Sequence, residues 1–556
     1  MSLIYEEYYK EIKDNKGQIV KIETDFGENF NFAYDVVDRF AKESPDKTAL
    51  IHKSADNEEK RFTFKDLKIY SDKEANVLKK LGIEKKDSVL LLLKRRVEFW
   101  ICILALHKLG AVAIPTSHMV SAKDISERIK VSKAKAIICV NSEHICKKVE
   151  EATKGIDIKP IVVGEKYQGM LSYEELFNQA DENFTRVLTN VKDDMLYYFT
   201  SGTNGDPKAV IHDYSYPLAH IYTAKNWHGM KDGDLHLTVA DSGWAKSAWG
   251  KLYGQWFLGA SIMVYDYEQF YATDMLKLLE EEKINTFCAP PTIYKYLLLE
   301  DIKKYDLSNL RQVTTAGEAM PKEISLKFEE ITGLKIREGF GQTETALQIC
   351  TPVGEEGKEG SIGKINPLYN IKLVDEEGQE VLDNEEGEIV IIPQKESDKL
   401  GIFKGYLGDD TEYKSVWENG IYHTKDRAKK DEEGYFYFLG RNDDVIKSSG
   451  YRIGPSEVED ILMTHPAVFE CAITAYPSKS RGFIVKASVV LNEGYKGDNA
   501  LKNTLQDFTK ERIALYKYPR KIEFLDALPH TNNGKINRSK IRMKDYENFQ
   551  KKLLTN

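Results

Sequence analysis

The sequence of 556 residues lacks the features that mark several classes of protein. Its six cysteines are scattered and none forms a C-x-x-C pair, so neither a structural zinc site nor a disulfide framework is indicated. Reduced thiols in a cytoplasmic protein are the simplest interpretation. Positive charge is not in excess, because the formal net charge is -9, which argues against a general nucleic-acid-binding surface.

Long apolar runs are also missing. The most apolar run, FWICILALHKLGAVAIP at residues 99–115, is interrupted by His107 and Lys108. It is shorter than the roughly 20 residues that a membrane-spanning helix needs, and it predicts a buried helix followed by a strand. The first residues, MSLIYEEYYKEIKDNKG, lack the basic start and apolar core of a signal peptide. We therefore expect no membrane span and a cytoplasmic location.

Helix and strand patterns alternate along most of the chain. Thr63 can cap a helix that carries Leu67, Val77 and Leu78 at helical spacing, with Gly82 just beyond its end. Runs such as SVLLLL, AKAIICV, IKPIVVG and INTFCAP predict buried strands, and their alternation with helices favours parallel sheets. The segment IKLVDEEGQEVLDNEEGEIVI predicts a short antiparallel subdomain.

These patterns predict an α/β protein with two domains. The large N-terminal domain, residues 1–441, is expected to contain parallel sheets with packed helices and the β subdomain. The small C-terminal domain, residues 442–556, is expected to be a mobile α+β unit, since the pattern changes after Gly440 and the remaining length suffices for a small domain. The boundary is expected near 442–443.

The most informative motif is the loop TSGTNGDPK at residues 200–208. Gly202 and Gly205 allow a close backbone approach to an anion, and Lys208 adds positive charge, which suits a polyphosphate. The loop is not an ordinary P-loop, because Asp206 and Pro207 stand where that motif needs Lys followed by Ser or Thr. A plain turn after a strand is the alternative interpretation.

The tract YFTSGTNGDPK resembles the phosphate loop of the adenylate-forming enzymes, which include acyl-CoA synthetases, peptide-synthetase adenylation domains and luciferases. Asn204 departs from the usual hydroxyl-bearing residue, although its amide can also donate a hydrogen bond. Further tracts follow in the order of that family: VTTAGEAMP, REGFGQTE, YHTKDRA, GRNDDVIKSSGYRIGPSEVE and NGKINR. SSGYRIGPSEVE and YKYPRKIEF are similar to the medium-chain acyl-CoA synthetases in particular.

The resemblance implies a reaction in two halves that uses ATP, Mg²⁺ and coenzyme A. A carboxylate attacks the α-phosphate of ATP to give acyl-AMP and pyrophosphate, and the thiol of coenzyme A then displaces AMP. The resemblance also implies a set of ATP-binding residues, namely Thr200, Ser201, Gly202, Thr203, Asn204, Gly205, Asp206, Pro207, Lys208, Gly317, Glu318, Ala319, Glu338, Gly339, Phe340, Gly341, Gln342, Thr343, Asp426, Arg441 and Lys535.

Within this set the resemblance assigns individual roles. Lys535, Thr343 and Glu344 are the expected catalytic residues: Lys535 bridges the attacking carboxylate and the α-phosphate, Thr343 contacts that phosphate, and Glu344 binds Mg²⁺. Phe340 is expected to stack on adenine, with a plain core aromatic as the alternative. Asp426 is expected to accept hydrogen bonds from the ribose hydroxyls, although Lys425 stands before it where many relatives have Gly.

The C-terminal part is expected to rotate about Asp443 between the two half-reactions. Coenzyme A would then contact a second set of residues, namely Ser449, Gly450, Tyr451, Arg452, Arg481, Tyr516, Lys517 and Tyr518. For Arg481 and Lys517, ordinary surface charge is an equally good interpretation.

Gly341 is the expected determinant of the acyl pocket. A bulky Trp stands at this position in acetate-specialised relatives, so Gly predicts room for a longer or branched acid. The other expected pocket residues are Asp241, Trp244, Lys246, Trp249 and Gly250. Trp249 could shorten the pocket again, and Lys246 could either meet a polar substrate group or face solvent.

The sequence therefore predicts an ATP-dependent acyl-CoA synthetase for a medium-, short- or branched-chain carboxylate. Its expected partners are the carboxylate, ATP and coenzyme A, with a homodimer left open. A stand-alone adenylating enzyme that loads acyl or aminoacyl groups onto a carrier protein is the alternative. A catalytically silent nucleotide-binding regulator is disfavoured by the presence of Lys535, Glu344 and Asp443.

Overall fold

The computed structural model describes residues 3–201, 207–442, 444–448, 451–478, 482–531 and 534–554. Several positions of interest lie outside these ranges, among them Gly202, Thr203, Asn204, Gly205, Asp206, Asp443, Ser449, Gly450 and Arg481. Within the described ranges, no helix has both the length and the apolar character that crossing a bilayer requires.

The strands are numbered in chain order. Those that precede residue 202 are β1 (Tyr9–Lys13), β2 (Ile19–Thr24), β3 (Thr48–Ser54), β4 (Glu59–Thr63), β5 (Ser88–Leu92), β6 (Val112–Pro115), β7 (Ala136–Val140), β8 (Lys159–Val163), β9 (Leu171–Ser172) and β10 (Asp194–Ser201). Those up to residue 441 are β11 (Pro207–Asp213), β12 (Leu235–Thr238), β13 (Ser261–Asp266), β14 (Thr286–Cys288), β15 (Gln312–Ala316), β16 (Ile336–Gly341), β17 (Leu347–Cys350), β18 (Lys364–Ile365), β19 (Ile371–Val374), β20 (Glu386–Ile391), β21 (Gly405–Tyr406), β22 (Trp417–Glu418), β23 (Ile421–Lys430) and β24 (Phe436–Arg441). Those that follow are β25 (Ile446–Ser448), β26 (Tyr451–Ile453), β27 (Val468–Ser478), β28 (Gly482–Leu491) and β29 (Lys521–Phe524).

The α-helices alternate with the strands in the first two thirds of the chain. They are α1 (Arg39–Glu43), α2 (Phe64–Lys80), α3 (Glu98–Leu109), α4 (Ala122–Ser132), α5 (Glu143–Thr153), α6 (Tyr173–Asn178), α7 (Tyr216–Tyr222), α8 (Lys246–Gly250), α9 (Tyr253–Phe257), α10 (Ala272–Glu281), α11 (Pro291–Leu297), α12 (Lys322–Thr332), α13 (Asp410–Val416), α14 (Pro455–Met463), α15 (Asn499–Lys510) and α16 (Arg538–Leu554). Short π-helical segments lie at Ala33–Asp38 and Thr223–Trp227, and 3-10 turns lie at Ile4–Glu7, Ile302–Lys304 and Glu396–Lys399.

Two large sheets, mostly parallel, form the N-terminal part. One has the strand order β21-β11-β10-β6-β5-β7-β8-β9, and the other has the order β18-β17-β16-β15-β14-β12-β13-β3-β4. Strands β19, β20, β22, β23 and β24 form a smaller antiparallel sheet, and β27, β28 and β29 form a sheet of the C-terminal part. The α/β class and the antiparallel subdomain are therefore confirmed, whereas the domain boundary near 442–443 stays a prediction.

Local sequence explains the helices and strands of the first sheet. Thr63 caps α2 by accepting a hydrogen bond from the backbone N–H of Asp66, and the Asp66 carboxylate accepts one from the Thr63 N–H. Gly82 follows the helix with a φ of 82°. The expected buried helix and strand in 99–115 are α3 and β6. Each residue from Phe99 to Leu109 is buried, including His107 and Lys108.

The core brings the two large sheets together. One cluster of buried side chains extends from Leu90 and Ile138 in the first sheet to Leu50 and Ile262 in the second. The sheets also meet beyond the end of β16, where the backbone N–H of Phe403, just before β21, donates to the carbonyl of Glu344 over 2.8 Å. The residues expected to bind nucleotide are thus held where both sheets converge.

Candidate active site

The hairpin of β10 and β11 presents the two ends of the TSGTNGDPK loop. Thr200 lies opposite Lys208 in this antiparallel pair, and Ser201 lies opposite Pro207. The Lys208 ammonium forms an ion pair of 2.6 Å with Glu412 on α13 and lies 5.8 Å from the centre of the Tyr406 ring. The two strands that flank the loop and the Lys208 cation are therefore in place. The expected phosphate contacts within the loop lie outside the described residues, since they involve Gly202, Thr203, Asn204, Gly205 and Asp206.

The residues after β16 are held by side chains from the neighbouring sheets. The carboxamide of Gln342 donates to Asp426 over 2.5 Å and accepts a hydrogen bond from the Tyr422 hydroxyl over 2.7 Å. The Tyr406 hydroxyl donates to Glu344 Oε1 over 2.9 Å. These contacts fix the expected ribose and metal ligands relative to each other before any ligand binds.

A buried histidine, His212, holds the backbone of Thr343 in place. His212 Nε2 donates to the Thr343 carbonyl over 2.7 Å, and its ring stacks on Tyr216 with ring centres 3.9 Å apart. Burial lowers the pKa of His212 to about 4, so the imidazole is neutral at physiological pH. His212 therefore supports the position of Thr343 without adding charge to the site.

The expected adenine-binding wall consists of the ends of β15 and β16. Glu338 accepts a hydrogen bond of 3.1 Å from the Met320 backbone, and burial raises the pKa of its carboxyl to about 8. Phe340 packs beside Phe438, with ring centres 5.8 Å apart and the planes tilted by 36°. Packing requires glycine at position 339, because a Cβ there would lie 2.7 Å from the Trp227 ring.

Asp426 lies on β23, opposite Arg441 on β24. Burial raises the pKa of its carboxyl to about 6, against the opposing effects of Arg441 and of the hydrogen bond from Gln342. Lys425 adopts a left-handed φ of 62°, its N–H donates to Glu388 and its ammonium donates to the Ser415 carbonyl. The turn that suits glycine is thus retained with lysine in its place, and the lysine ammonium is directed away from Asp426.

Lys535 reaches this wall from the C-terminal part of the chain. It lies in a tight loop closed by a 2.7 Å hydrogen bond from the Thr531 N–H to its carbonyl. Its Cε is 3.9 Å from the Cβ position of Gly317. The side chain is exposed in the cleft, and the carboxylates of Glu318 and Asp426 favour its charged form. The two parts of the chain therefore meet at Lys535, Glu318 and Asp426.

Trp249 and Gly341 are in direct contact. A Cβ at Gly341 would lie 2.4 Å from the Trp249 ring and 2.7 Å from the Ala346 carbonyl oxygen. The Trp249 ring therefore fills the space that a side chain at position 341 would occupy. The expected widening of the acyl pocket by Gly341 stays a prediction, and Trp249 is the side chain that limits it at this point.

The other residues expected in the acyl pocket have different environments. Lys246 donates to the Ala316 carbonyl over 2.8 Å at the end of β15, so it faces the cleft. Gly250 allows close packing of α8 on β12, because a Cβ there would lie 2.1 Å from Thr238 Oγ1. Asp241 accepts a hydrogen bond of 3.0 Å from His118, and the indole N–H of Trp244 is buried.

The expected coenzyme A residues are described only in part. Lys517 forms an ion pair of 2.6 Å with Glu457 on α14, and the Tyr518 hydroxyl accepts a hydrogen bond from Arg520. Tyr516 is about one-third exposed (37%). Ser449, Gly450 and Arg481 lie outside the described residues, as do the side chains of Tyr451 and Arg452, so the coenzyme A site stays a prediction.

Sequence reasoning missed the side chains that support the site from a distance. Tyr406, Tyr422, Glu412 and His212 contact Glu344, Gln342, Lys208 and Thr343 respectively. Each lies far along the chain from its partner, outside the recognised tract of that partner. No local spacing in the sequence points to these pairs, since they arise from the convergence of the sheets.

Comparisons of the sequence and of the structure with known proteins point to the same family of enzymes. The sequence model described as "AMP-binding enzyme" matches residues 37–407, and the one described as "AMP-binding enzyme C-terminal domain" matches residues 457–535. The human protein named acyl-coenzyme A synthetase ACSM4, mitochondrial, is 37% identical over 530 residues, which cover 93% of this chain and 91% of that protein. The mouse acyl-coenzyme A synthetase ACSM3, mitochondrial, is 34% identical and covers 98% of this chain and 96% of its own length.

Solved structures with the same fold include two ligases. The anthranilate CoA ligase AuaEII in complex with anthranoyl-AMP has a TM-score of 0.86 at 28% identity, with 94% of this chain and 99% of that chain covered. The benzoate CoA ligase from Burkholderia xenovorans LB400 has a TM-score of 0.81 at 26% identity, with 92% and 100% covered.

Proposed function

This chain belongs to the AMP-binding enzyme family, and within that family we propose that it is an ATP-dependent acyl-CoA synthetase for a medium-, short- or branched-chain carboxylate. The enzyme joins an acid to a thiol in two steps. A carboxylate oxygen attacks the α-phosphorus of ATP and pyrophosphate leaves. The sulfur of coenzyme A then attacks the acyl carbonyl, and AMP leaves as the thioester forms.

The observation that carries the proposal is the position of Lys535, whose Cε lies 3.9 Å from the Cβ position of Gly317 on the expected nucleotide wall. Adenylation brings an anionic carboxylate up to an anionic phosphate, so a cation between them stabilises the transition state more than the separated reactants. Lys535 comes from the loop Thr531–Lys535, whereas the nucleotide wall comes from β15, β16 and β23. The cation needed in the first half-reaction is therefore supplied by the C-terminal part of the chain.

We propose that Glu344 holds the Mg²⁺ of the ATP complex. Its Oε1 accepts the Tyr406 hydroxyl hydrogen bond, which orients the carboxylate. Within the described ranges, no group of three or more His, Cys, Asp or Glu residues could hold a metal ion by itself. A single carboxylate fits Mg²⁺, which takes most of its ligands from phosphate oxygens and water. The bound ion would offset phosphate charge.

The alternative is an enzyme that loads aminoacyl groups onto a carrier protein. Such an enzyme would need a free carboxylate for the substrate amine, and Asp241 is the candidate. Its two oxygens are engaged, one by His118 and the other by the backbone N–H of Gly243 over 2.9 Å. Although burial opposes it, the His118 hydrogen bond lowers the pKa of Asp241. This pairing favours the acyl-CoA synthetase.

A panel of carboxylic acids, with and without coenzyme A, tests the proposal. We expect ATP–pyrophosphate exchange that depends on the acid, and release of acyl-CoA only when coenzyme A is added. Exchange without any acyl-CoA would favour the carrier-loading enzyme. Absence of acid-dependent exchange across the panel would contradict both and favour a silent nucleotide-binding regulator.

The location and the oligomeric state stay predictions. We propose a cytoplasmic location, whereas the names of the relatives ACSM3 and ACSM4 say mitochondrial for those proteins. Subcellular fractionation of the native host checks the location. Sedimentation of the purified chain checks for the homodimer.

A further inference from the structure

A second cavity lies away from the cleft that contains Lys535. Its volume is about 360 Å³, and it opens between the end of β11 and the segment 396–404. This volume falls within the range of about 300–1,000 Å³ that is typical of small-molecule sites. Among the described residues that line it, none is an expected ATP, coenzyme A or acyl-pocket residue.

One wall of the cavity is aromatic. The rings of Phe403 and Tyr413 are 5.6 Å apart at their centres, and those of Tyr413 and Trp417 are 6.1 Å apart. Trp417 Nε1 is buried and donates to no acceptor among the described residues. That nitrogen has no accessible surface, so a molecule in the cavity could pack on the face of the Trp417 ring but could not reach its N–H.

The lining of the cavity also carries ammonium groups whose donors outnumber the acceptors. Lys192 and Lys399 share the carboxylate of Glu396, at 3.1 Å and 3.0 Å. Asp213 lies 4.0 Å from Lys192, and its other oxygen accepts the Ser215 hydroxyl hydrogen bond. Each ammonium has three N–H donors. Because such exposed ion pairs are weak, a ligand oxyanion can replace some of the contacts that Glu396 makes with the two ammonium groups.

The remaining cation of the cavity is already engaged. Lys404 forms an ion pair with Asp194 over 2.5 Å and donates to the Lys192 carbonyl over 2.6 Å. Lys399 is different, since its ammonium also lies 5.6 Å from the centre of the Trp417 ring. Lys192 and Lys399, which share one carboxylate, are therefore the cations best placed to hold an oxyanion together.

The aromatic wall continues to the catalytic cleft. Phe403 is 4.9 Å from the Tyr406 ring, and Trp417 is 5.5 Å from the Tyr422 ring. The hydroxyls of these tyrosines donate to Glu344 and Gln342. A molecule that displaces Phe403 or Trp417 would thus move the side chains that orient the expected metal and ribose ligands.

We propose that this cavity binds a small planar aromatic compound with one oxyanion, and that its occupancy changes the affinity of the cleft for ATP. The ring packs against Phe403, Tyr413 and Trp417, and the oxyanion accepts from Lys192 and Lys399. The binding step stands on the cavity alone. The effect on ATP rests on the proposed function.

Binding is tested with naphthalene-2-sulfonate, which is planar and anionic but has no carboxylate that could be adenylated. Calorimetry should show one site, and Lys399→Met and Lys192→Met should each weaken binding at least fivefold. Lys372→Met is the matched control, since Lys372 pairs with the exposed Glu380 and does not line the cavity. No binding at millimolar probe, or equal binding by all variants, would overturn the site. Displacement of the probe by a carboxylate substrate would also overturn it, by placing the probe in the acyl pocket.

The coupling is tested by acid-dependent ATP–pyrophosphate exchange at saturating probe. We expect the KM for ATP to change at least twofold in the unmodified chain and to stay constant in Lys399→Met. Probe binding without any change in KM would overturn the coupling. Should the chain catalyse no exchange with any acid, the proposed function fails, whereas the calorimetric result on the cavity stands independently.

Discussion

Opposite charges face each other in the cleft at Lys535, Glu318 and Asp426. Burial raises the pKa of Glu318, and the Lys535 ammonium counteracts that shift. The same ammonium also counteracts the effect of burial on Asp426. A bound nucleotide and acid would exchange these contacts for phosphate and ribose contacts, so the protein holds its charges in place before the reaction begins.

Replacing Lys535 by Ala separates the two half-reactions. Adenylation should fall about a hundredfold or more, because the transition state loses its bridging cation. Thioester formation from supplied acyl-AMP should remain within about twofold. Lys540→Ala is the control, since Lys540 is an exposed lysine of α16 in the same region. Equal loss in both half-reactions would contradict the assigned role.

The raised pKa of Asp426 leads us to expect that kcat/KM for ATP falls at acid pH. Its pKa of about 6 means that the carboxylate gains a proton as pH falls below 6 and loses acceptor capacity for the ribose hydroxyls. The kcat/KM for ATP should therefore fall about tenfold per pH unit below 6. Asp426→Asn should have a lower kcat/KM at neutral pH and no such fall.

The stability of the Asp426→Asn variant provides the control. Because the folded pKa is raised above the ordinary value of 3.8, the ionised carboxyl disfavours folding fully above pH 6, and this cost disappears below about pH 4. The melting temperature of the variant at pH 7 should thus be equal or higher. If kcat/KM for ATP still fell below pH 6 in the variant, the group that titrates would not be Asp426.

Trp249 predicts the length of acid that the enzyme accepts. Trp249→Leu should raise kcat/KM for longer or branched acids relative to acetate by about fourfold per added methylene that becomes buried. Gly341→Trp should instead lower the melting temperature, because even a Cβ at 341 collides with Trp249 and the Ala346 backbone. A substrate panel together with thermal melts distinguishes these outcomes. An unchanged acid profile in Trp249→Leu would contradict the role of Trp249.

At the scale of single elements, a carboxylate of α13 pairs with the cation that is expected to bind phosphate. Asp409 caps this helix by accepting a hydrogen bond from the Glu412 backbone, and the Glu412 carboxylate pairs with Lys208 over 2.6 Å. If Lys208 binds phosphate, ATP must displace Glu412 first.

Glu412→Gln tests this competition. Removing the carboxylate charge should lower the KM for ATP about two- to fivefold, in keeping with the small free energy of a partly exposed ion pair. Lys208→Ala should raise the KM. Glu418→Gln, in the adjacent strand β22, serves as the control because Glu418 is exposed. A higher KM in Glu412→Gln would show that the pair orients Lys208 productively.

Element patterns were readable from sequence where the cause is local. Continuous apolar runs predicted β5, β7 and β8, and the Thr63 cap predicted the start of α2. The contact of Trp249 with Gly341 and the pairing of Lys208 with Glu412 were not predictable, since each joins elements that are distant in sequence. The recognised tracts thus identified candidate ligands, whereas the packing that restrains those ligands required the three-dimensional structure.

At the scale of the whole molecule, the C-terminal part is held in one orientation by contacts with the large sheets. Lys295 on α11 donates to the Phe469 carbonyl on β27, and its ammonium lies 3.4 Å from the centre of the Phe469 ring. Burial lowers the pKa of Lys295. This orientation is the one that places Lys535 in the cleft, so it corresponds to the expected adenylation arrangement.

Lys295→Met tests whether this contact favours adenylation. Methionine keeps the apolar stem but removes the donor and the charge, which together contribute about 1–2 kcal/mol. The population with Lys535 in the cleft should fall, and adenylation should slow about fivefold or more. Thioester formation from acyl-AMP should be unchanged or faster, because that step is expected to need the rotated arrangement. Lys303→Met, at a nearby exposed position, should leave both rates unaltered. If Lys295→Met slowed both steps equally, the contact would stabilise the fold as a whole rather than select one orientation.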